Sequence, residues 1–260
     1  MRLPLAKIAW GTFAFPWMYR GAFARALSLP LLALLACTMA WSIPGSTNQG
    51  PVSILQVLYL LAFSWLAIRC HRLVLTGSHR MDEAPRAFSM LGLFAITVIL
   101  VWILQTLVKL ALTAGVLAMV STQNIPAGAS QPPPAYDPDV RTLIDRVAFF
   151  AGIVGLYPVA RLAALFPAIS LGEKWNAAGA WRLTRRNGWR LVVLVFLLPD
   201  LFRELVKWLY SNDPGAFEFA IVVLSLGVIT SLGVVALSLS YRELAVEVTE
   251  PAPPPTPPPA

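Results

Sequence analysis

Six long apolar stretches constrain this chain more than any other feature of its sequence. A run of about 18 or more apolar residues can cross a bilayer, because roughly 20 residues at about 1.5 Å rise span the hydrocarbon core. The stretches lie near residues 26–43, 52–75, 91–112, 147–171, 191–210 and 217–241. They predict an all-α, polytopic helical membrane protein with six transmembrane helices.

The composition agrees with that class and leaves little room for a soluble catalytic domain. Of the 260 residues, 57% are hydrophobic and only 13% are charged, whereas about a quarter of the residues in a soluble domain are charged. The sequence contains no HExxH, P-loop or GxSxG motif, each of which marks a specific catalytic or nucleotide site. We therefore expect a protein that is not an enzyme and that holds no metal and no cofactor.

The two ends of the chain differ from its apolar centre. Residues 1–25 combine aromatic and basic side chains, a mixture typical of a segment in the headgroup layer. Residues 242–260 are predicted to form a proline-rich, disordered tail, which is either simply solvated or a ligand for an aromatic-lined groove. A second proline-rich stretch, Gln123–Asp139, is expected to be extended as well.

Lysine and arginine are distributed unevenly among the connections. Of the 20 basic residues, 14 lie in the N-terminal segment, the second and fourth connections and the tail, and 5 lie in the opposite connections. Because basic loops stay in the cytoplasm, both termini are predicted to be cytoplasmic, in a bacterial inner membrane. The net charge of +7 thus indicates topology, and we expect no nucleic-acid partner.

Two ionisable residues fall inside predicted spans at the same depth. Arg161 lies ten positions before the end of the fourth span at Leu171, and Asp200 lies ten positions after Arg190. Each is therefore expected about 15 Å below the same membrane surface. Charged residues inside spans are costly and mark function or ion pairing, so an Arg161–Asp200 pair between neighbouring helices is one hypothesis.

A second arrangement keeps the charges within one helix. Asp200, Arg203, Glu204 and Lys207 are spaced i, i+3, i+4 and i+7, and this spacing places them in one polar stripe. Asp200 can then pair with Arg203, and Glu204 with Lys207. Both arrangements are compatible with a structural ion pair and with a polar substrate path.

Arginines at the ends of predicted spans are candidates for lipid-headgroup contacts, because anionic headgroups attract basic side chains next to a span. These residues are Arg69, Arg72, Arg182, Arg185, Arg186 and Arg190.

Three prolines lie inside predicted spans. Pro158 and Pro167 fall in the fourth span and Pro199 falls in the fifth. Proline lacks the N–H that a helix needs, so kinks are expected at these positions.

Two pairs of segments suggest an internal repeat. Leu107–Leu110 is similar to Leu205–Trp208, 98 residues later, and the helix end at Gly77 is similar to the end at Gly172, 95 residues later. A repeat in this order predicts two units with the same orientation across the membrane, as in parallel-repeat transporters.

One region resembles a known family. It comprises Arg161–Ile169, Gly172-Glu173, Ala180–Thr184 and Asn187–Leu191, where an Arg and a Pro in a span precede a Gly-Glu, an Ala-Trp and a Trp-Arg pair. This pattern is similar to the membrane-domain family associated with bacterial glycerophosphoryl diester phosphodiesterases and its stand-alone, uncharacterised relatives. The resemblance implies a helical inner-membrane protein and carries over no catalytic residue.

These features favour a non-enzymatic membrane protein that organises the envelope or interacts with lipids. The alternative is a small-molecule or lipid transporter that uses the polar midplane around Arg161 and Asp200. Membrane lipids are the expected partners, together with an unknown protein partner or a second copy of the chain.

Overall fold

The computed structural model describes residues 2–41, 54–78, 84–124, 138–173, 176–209 and 216–249. All secondary structure in these ranges is helical, which confirms the predicted all-α membrane protein. The elements are α1 (Leu5–Met18), α2 (Arg20–Trp41), α3 (Ile54–Thr76), α4 (Ala84–Asn124), α5 (Pro138–Leu162), α6 (Leu165–Leu171), α7 (Ala177–Leu183), α8 (Gly188–Leu191), the π-helix π1 (Val192–Leu197), α9 (Leu198–Leu209) and α10 (Ala216–Thr249).

Within the described residues, five helical stretches are long and apolar enough to cross a membrane. They are Arg20–Ala40, Ile54–Thr76, Ser89–Leu112, Gly152–Leu171 and Gly227–Ala245. They coincide with every predicted span except the fifth, 191–210. That segment is helical as α8, π1 and α9, but the charges in its second half lower its hydropathy.

The order of the helices requires this fifth segment to run along the bundle. The Tyr241 hydroxyl donates a hydrogen bond to Glu173 Oε2 at 2.6 Å, which joins the end of α6 to the second half of α10. The start of α10, Ala216, is 25 residues from Tyr241, or about 38 Å along a helix. The chain between α6 and α10 must therefore return along the bundle, and π1 and α9 make that return.

Two of the three predicted proline irregularities are present. Pro167 cannot donate to the carbonyl of Ala163, and the chain turns at residues 163–164 between α5 and α6. Pro199 likewise cannot donate to Val195, and it directly follows the π-helical turn of π1. Pro158 differs, because α5 continues through it to Leu162.

The N-terminal segment is a helix packed on the bundle. Within residues 1–25, α1 runs antiparallel to α10, and Lys7 Nζ lies 2.8 Å from Glu243 Oε1. Trp10 and Trp17 are exposed, as expected for a segment at a lipid interface. The helix α2 already begins at Arg20, within the predicted interfacial segment of residues 1–25.

The tail also begins later than predicted. Instead of ending at Tyr241, α10 continues to Thr249, and Leu244 is buried against the core. The proline-free sequence up to Thr249 allows the helix to continue. Residues 250–260 and 125–137, which hold most of the proline-rich segments, lie outside the described residues.

One local element of the proposed repeat is present in the structure. Gly77 and Gly172 both follow the end of a helix and both have positive φ, 73° and 75°. Glycine adopts this left-handed conformation at helix ends without steric cost. The two helix ends therefore share a C-terminal geometry, while the repeat as a whole stays a prediction.

The close contact of Gly233 in α10 with π1 and α9 can be tested by its effect on protein stability. A Cβ atom on Gly233 would lie 3.1 Å from the carbonyl oxygen of Val195 and 3.4 Å from Pro199 Cγ, whereas one on Gly92 would have no neighbour within 4 Å. We expect Gly233→Val to destabilise the protein by about 1–3 kcal/mol, since overpacking displaces backbone. We expect Gly92→Val to lower the free energy of unfolding by less, because its side chain has open space.

Thermal unfolding of the detergent-solubilised variants, followed by circular dichroism, measures this difference. Equal melting temperatures for Gly233→Val and Gly92→Val would contradict the close helix contact.

Candidate functional site

A cavity of about 830 Å³ lies between α3, α4, α5, α6, π1, α9 and α10. This volume is within the range typical of small-molecule sites, about 300–1,000 Å³. Its walls are mainly apolar and include the rings of Phe63, Phe94, Phe149, Phe166 and Phe196. The polar side chains along the cavity are His71, Gln105, Asp200, Arg203, Glu204 and Thr230.

The helix α9 directs its charged face into this cavity. Asp200, Arg203 and Glu204 are among the lining residues, whereas Leu205 and Trp208 are exposed on the outer surface of the bundle. A surface helix of a soluble protein has the opposite arrangement, with apolar side chains towards the core. The orientation of α9 is therefore the one expected for a helix with lipid on its outer face and a polar cavity on its inner face.

The charged end of the cavity contains a local ion pair. Arg203 Nη1 lies 2.5 Å from Asp200 Oδ1, so the pairing within one helix is present. Both side chains are only partly exposed, at 39% and 49%. Glu204 lines the same cavity, and the side chain of Lys207 lies outside the described part of the structure.

Arg161 does not pair with Asp200. Its side chain is 6% exposed, and its guanidinium carbon lies 3.8 Å from the centroid of the Trp181 ring. Its Nη2 also donates to the carbonyl of Trp181. The turn after α5 allows α7 to fold back and supply this ring and carbonyl. Arg161 and Asp200 therefore lie in two separate polar environments and do not form one polar midplane.

The turn beside Arg161 is closed by a hydroxyl group. Thr184 Oγ1 lies 3.1 Å from the carbonyl oxygen of Arg161 and 2.8 Å from that of Ala180. A carbonyl at the end of α5 lacks the helical partner it would have in a straight helix. The single hydroxyl hydrogen of Thr184 is shared between these two carbonyls, and this contact links α7 to the end of α5.

The six arginines predicted to contact headgroups divide into two groups. Arg69, Arg72 and Arg190 donate to backbone carbonyls elsewhere in the fold, so they hold connections together. The other three side chains are exposed and remain candidates for headgroup contact: Arg182, Arg185 and Arg186.

His71 is a cavity residue that the sequence pattern does not single out. It is 1% exposed, and its Nδ1 lies 2.7 Å from Ser238 Oγ in α10. The spacing of Phe63, Ala67 and His71, one helical turn apart, places all three on the cavity face of α3. That periodicity is present in the sequence, but the arginines on both sides of Cys70-His71 favour a basic helix end over a cavity face.

Comparisons with protein-family models, curated proteins and solved structures find no match. The resemblance to the phosphodiesterase-associated membrane-domain family therefore stays a prediction. Its residues do meet in space, since Arg161 contacts both Trp181 and Thr184. In the part of the chain that the structure describes, no three His, Cys, Asp or Glu side chains are close enough to hold a metal ion.

The contacts of Arg161 predict a structural role. We expect Arg161→Ala to lower the free energy of unfolding by about 1–3 kcal/mol, because it removes a buried hydrogen bond and the packing on Trp181. The matched control is Arg182→Ala, which removes an exposed arginine next to Trp181.

Thermal unfolding of both variants in the same detergent tests this role. If Arg161→Ala and Arg182→Ala melt together with the unmodified protein, Arg161 does not fix α7 to α5.

Proposed function

We propose that this chain is a non-enzymatic, lipid-interacting membrane protein that binds an amphipathic molecule in the cavity beside α9. The observation that carries the proposal is the orientation of α9: Asp200, Arg203 and Glu204 line the cavity, whereas Leu205 and Trp208 are exposed and do not line it. A ligand with an apolar body and a polar group fits such a space.

The lining matches the two parts of an amphipathic ligand. The phenylalanine rings and the aliphatic side chains offer apolar contact surface, which stabilises a buried chain or ring at about 25 cal/mol per Å². Asp200 and Arg203 are partly exposed and offer charged hydrogen-bond partners. A polar headgroup placed against them avoids the cost of burying it without partners.

The edge of the cavity supports entry from the surrounding lipid. Phe149 and Leu201 both line the cavity and are 65% and 67% exposed. Large apolar side chains at an opening are stable where the outer medium is hydrocarbon. A membrane-dissolved molecule would reach the cavity between these side chains without passing through water.

Filling the cavity tests the proposal. Gly152 lines the cavity, and a Cβ atom there would have no neighbour within 4 Å. Gly152→Trp should therefore occupy the space that the ligand needs. Gly92→Trp, also in a span and away from the cavity lining, is the control.

The probe is a phosphatidylethanolamine with a photoactivatable diazirine in one acyl chain, mixed into liposomes that contain the protein. We expect cross-links, mapped by mass spectrometry, on peptides that include residues 94–105 and 195–204, and a several-fold loss of these cross-links in Gly152→Trp. Cross-links spread evenly over the outer helix faces, unchanged in Gly152→Trp, would exclude an occupied cavity.

We also propose that the protein lies in a bacterial inner membrane with both termini in the cytoplasm. The excess of basic residues, 14 against 5, supports this orientation. The Lys7–Glu243 ion pair supports it as well, because it brings α1 and the end of α10 to the same end of the bundle.

Reporter fusions at the C-terminus test the orientation. We expect a fused green fluorescent protein to fluoresce and a fused alkaline phosphatase to be inactive, since the phosphatase requires the oxidising periplasm for its disulfides. The opposite result at either reporter would reverse the orientation.

A further inference from the structure

We propose that His71 accepts a hydrogen bond from a hydroxyl group on the bound molecule. This inference rests on the proposed function, because it concerns the same cavity. It specifies the ligand further, as an amphipathic molecule with a hydroxyl group on the part that lies against α3.

The hydrogen bonds of Ser238 assign the role of each nitrogen in the His71 ring. Ser238 Oγ lies 2.8 Å from the carbonyl oxygen of Val234, to which only its hydroxyl hydrogen can donate. The same Oγ lies 2.7 Å from His71 Nδ1 and must accept there. Nδ1 therefore carries a hydrogen, and in the neutral ring Nε2 has a free lone pair.

With Nδ1 held by Ser238, Nε2 is the ring nitrogen that remains for a ligand. The residue lines the cavity although it is only 1% exposed. Its other ring contact is with Phe94, at 6.1 Å between centroids, which provides no hydrogen-bond donor. A hydrogen-bond donor on the ligand supplies a partner for Nε2.

The chemistry around His71 favours a hydroxyl group over a charged one. A carboxylate or phosphodiester anion has no hydrogen to donate and would face the lone pair. An ammonium group could donate, but Ala67, Phe94 and Leu237 line this part of the cavity with apolar surface. Burying an ion there costs more than burying a hydroxyl that makes one hydrogen bond.

A matched pair of probes isolates this hydrogen bond. The first is 2-naphthalenemethanol and the second is its methyl ether, in which a methyl group replaces the hydroxyl hydrogen and the donor is lost. Binding to the full-length protein in lipid nanodiscs is measured by equilibrium dialysis, with empty nanodiscs to subtract partition into lipid. We expect the alcohol to bind about threefold to tenfold tighter, the range of one neutral hydrogen bond.

Substitutions then assign the preference to His71. In His71→Phe, the alcohol and the ether should bind equally, whereas Cys70→Ala, a buried neighbour that does not line the cavity, should retain the preference. If His71→Phe does not fold, Ser238→Ala serves instead. It removes the acceptor that fixes the ring tautomer, so the preference for the alcohol should fall.

The outcomes separate this inference from the proposed function. Equal binding of alcohol and ether to the unmodified protein, abolished for both by Gly152→Trp, would refute the hydroxyl site and leave the cavity function intact. The hydroxyl site is also refuted if 2-naphthylmethylammonium binds tighter than the alcohol and loses that advantage in His71→Phe. Absence of saturable binding of every probe would overturn both proposals.

Discussion

The arrangement of this protein depends on keeping the charges of α9 away from hydrocarbon. A helix with two carboxylates and a guanidinium on one face can lie among apolar helices only if that face meets protein or a polar cavity. Asp200 and Arg203 neutralise each other within the helix. The walls from α3, α4, α5 and α10 then enclose a space that is charged at α9 and mainly apolar elsewhere, with His71, Gln105 and Thr230 as its other polar residues.

Two prolines give the bundle the irregular backbone on which this cavity depends. Pro167 cannot donate to the carbonyl of Ala163, which accepts from the Phe166 N–H instead, and the turn that follows α5 allows α7 to reach Arg161. Pro199 cannot donate to the carbonyl of Val195, whose oxygen would lie 3.1 Å from a Cβ atom on Gly233 of α10. In a membrane such carbonyls need partners or close protein packing; the Phe166 N–H serves the first, and Gly233 of α10 packs against the second.

The sequence alone predicts what depends on local spacing. The apolar stretches, the glycine ends of α3 and α6 and the i, i+3 pair of Asp200 and Arg203 all follow from it. The Arg161–Asp200 pair does not form, because the chain turns after α5 and α7 returns to contact Arg161. A prediction from equal depth along straight helices does not include this turn. The role proposed for His71 depends on its hydrogen bond with Ser238, which lies 167 residues later in the chain. No local sequence pattern contains such a contact.

The ion pair between Lys7 and Glu243 has a consequence for the order of assembly. A ribosome completes α1 well before it begins α10, so the first described helix is made long before its main partner. Until then the exposed tryptophans of α1 can occupy the membrane interface, where aromatic rings are favoured. Docking of α1 on α10 is therefore a late event in biogenesis, because it can occur only after α10 has been made and inserted.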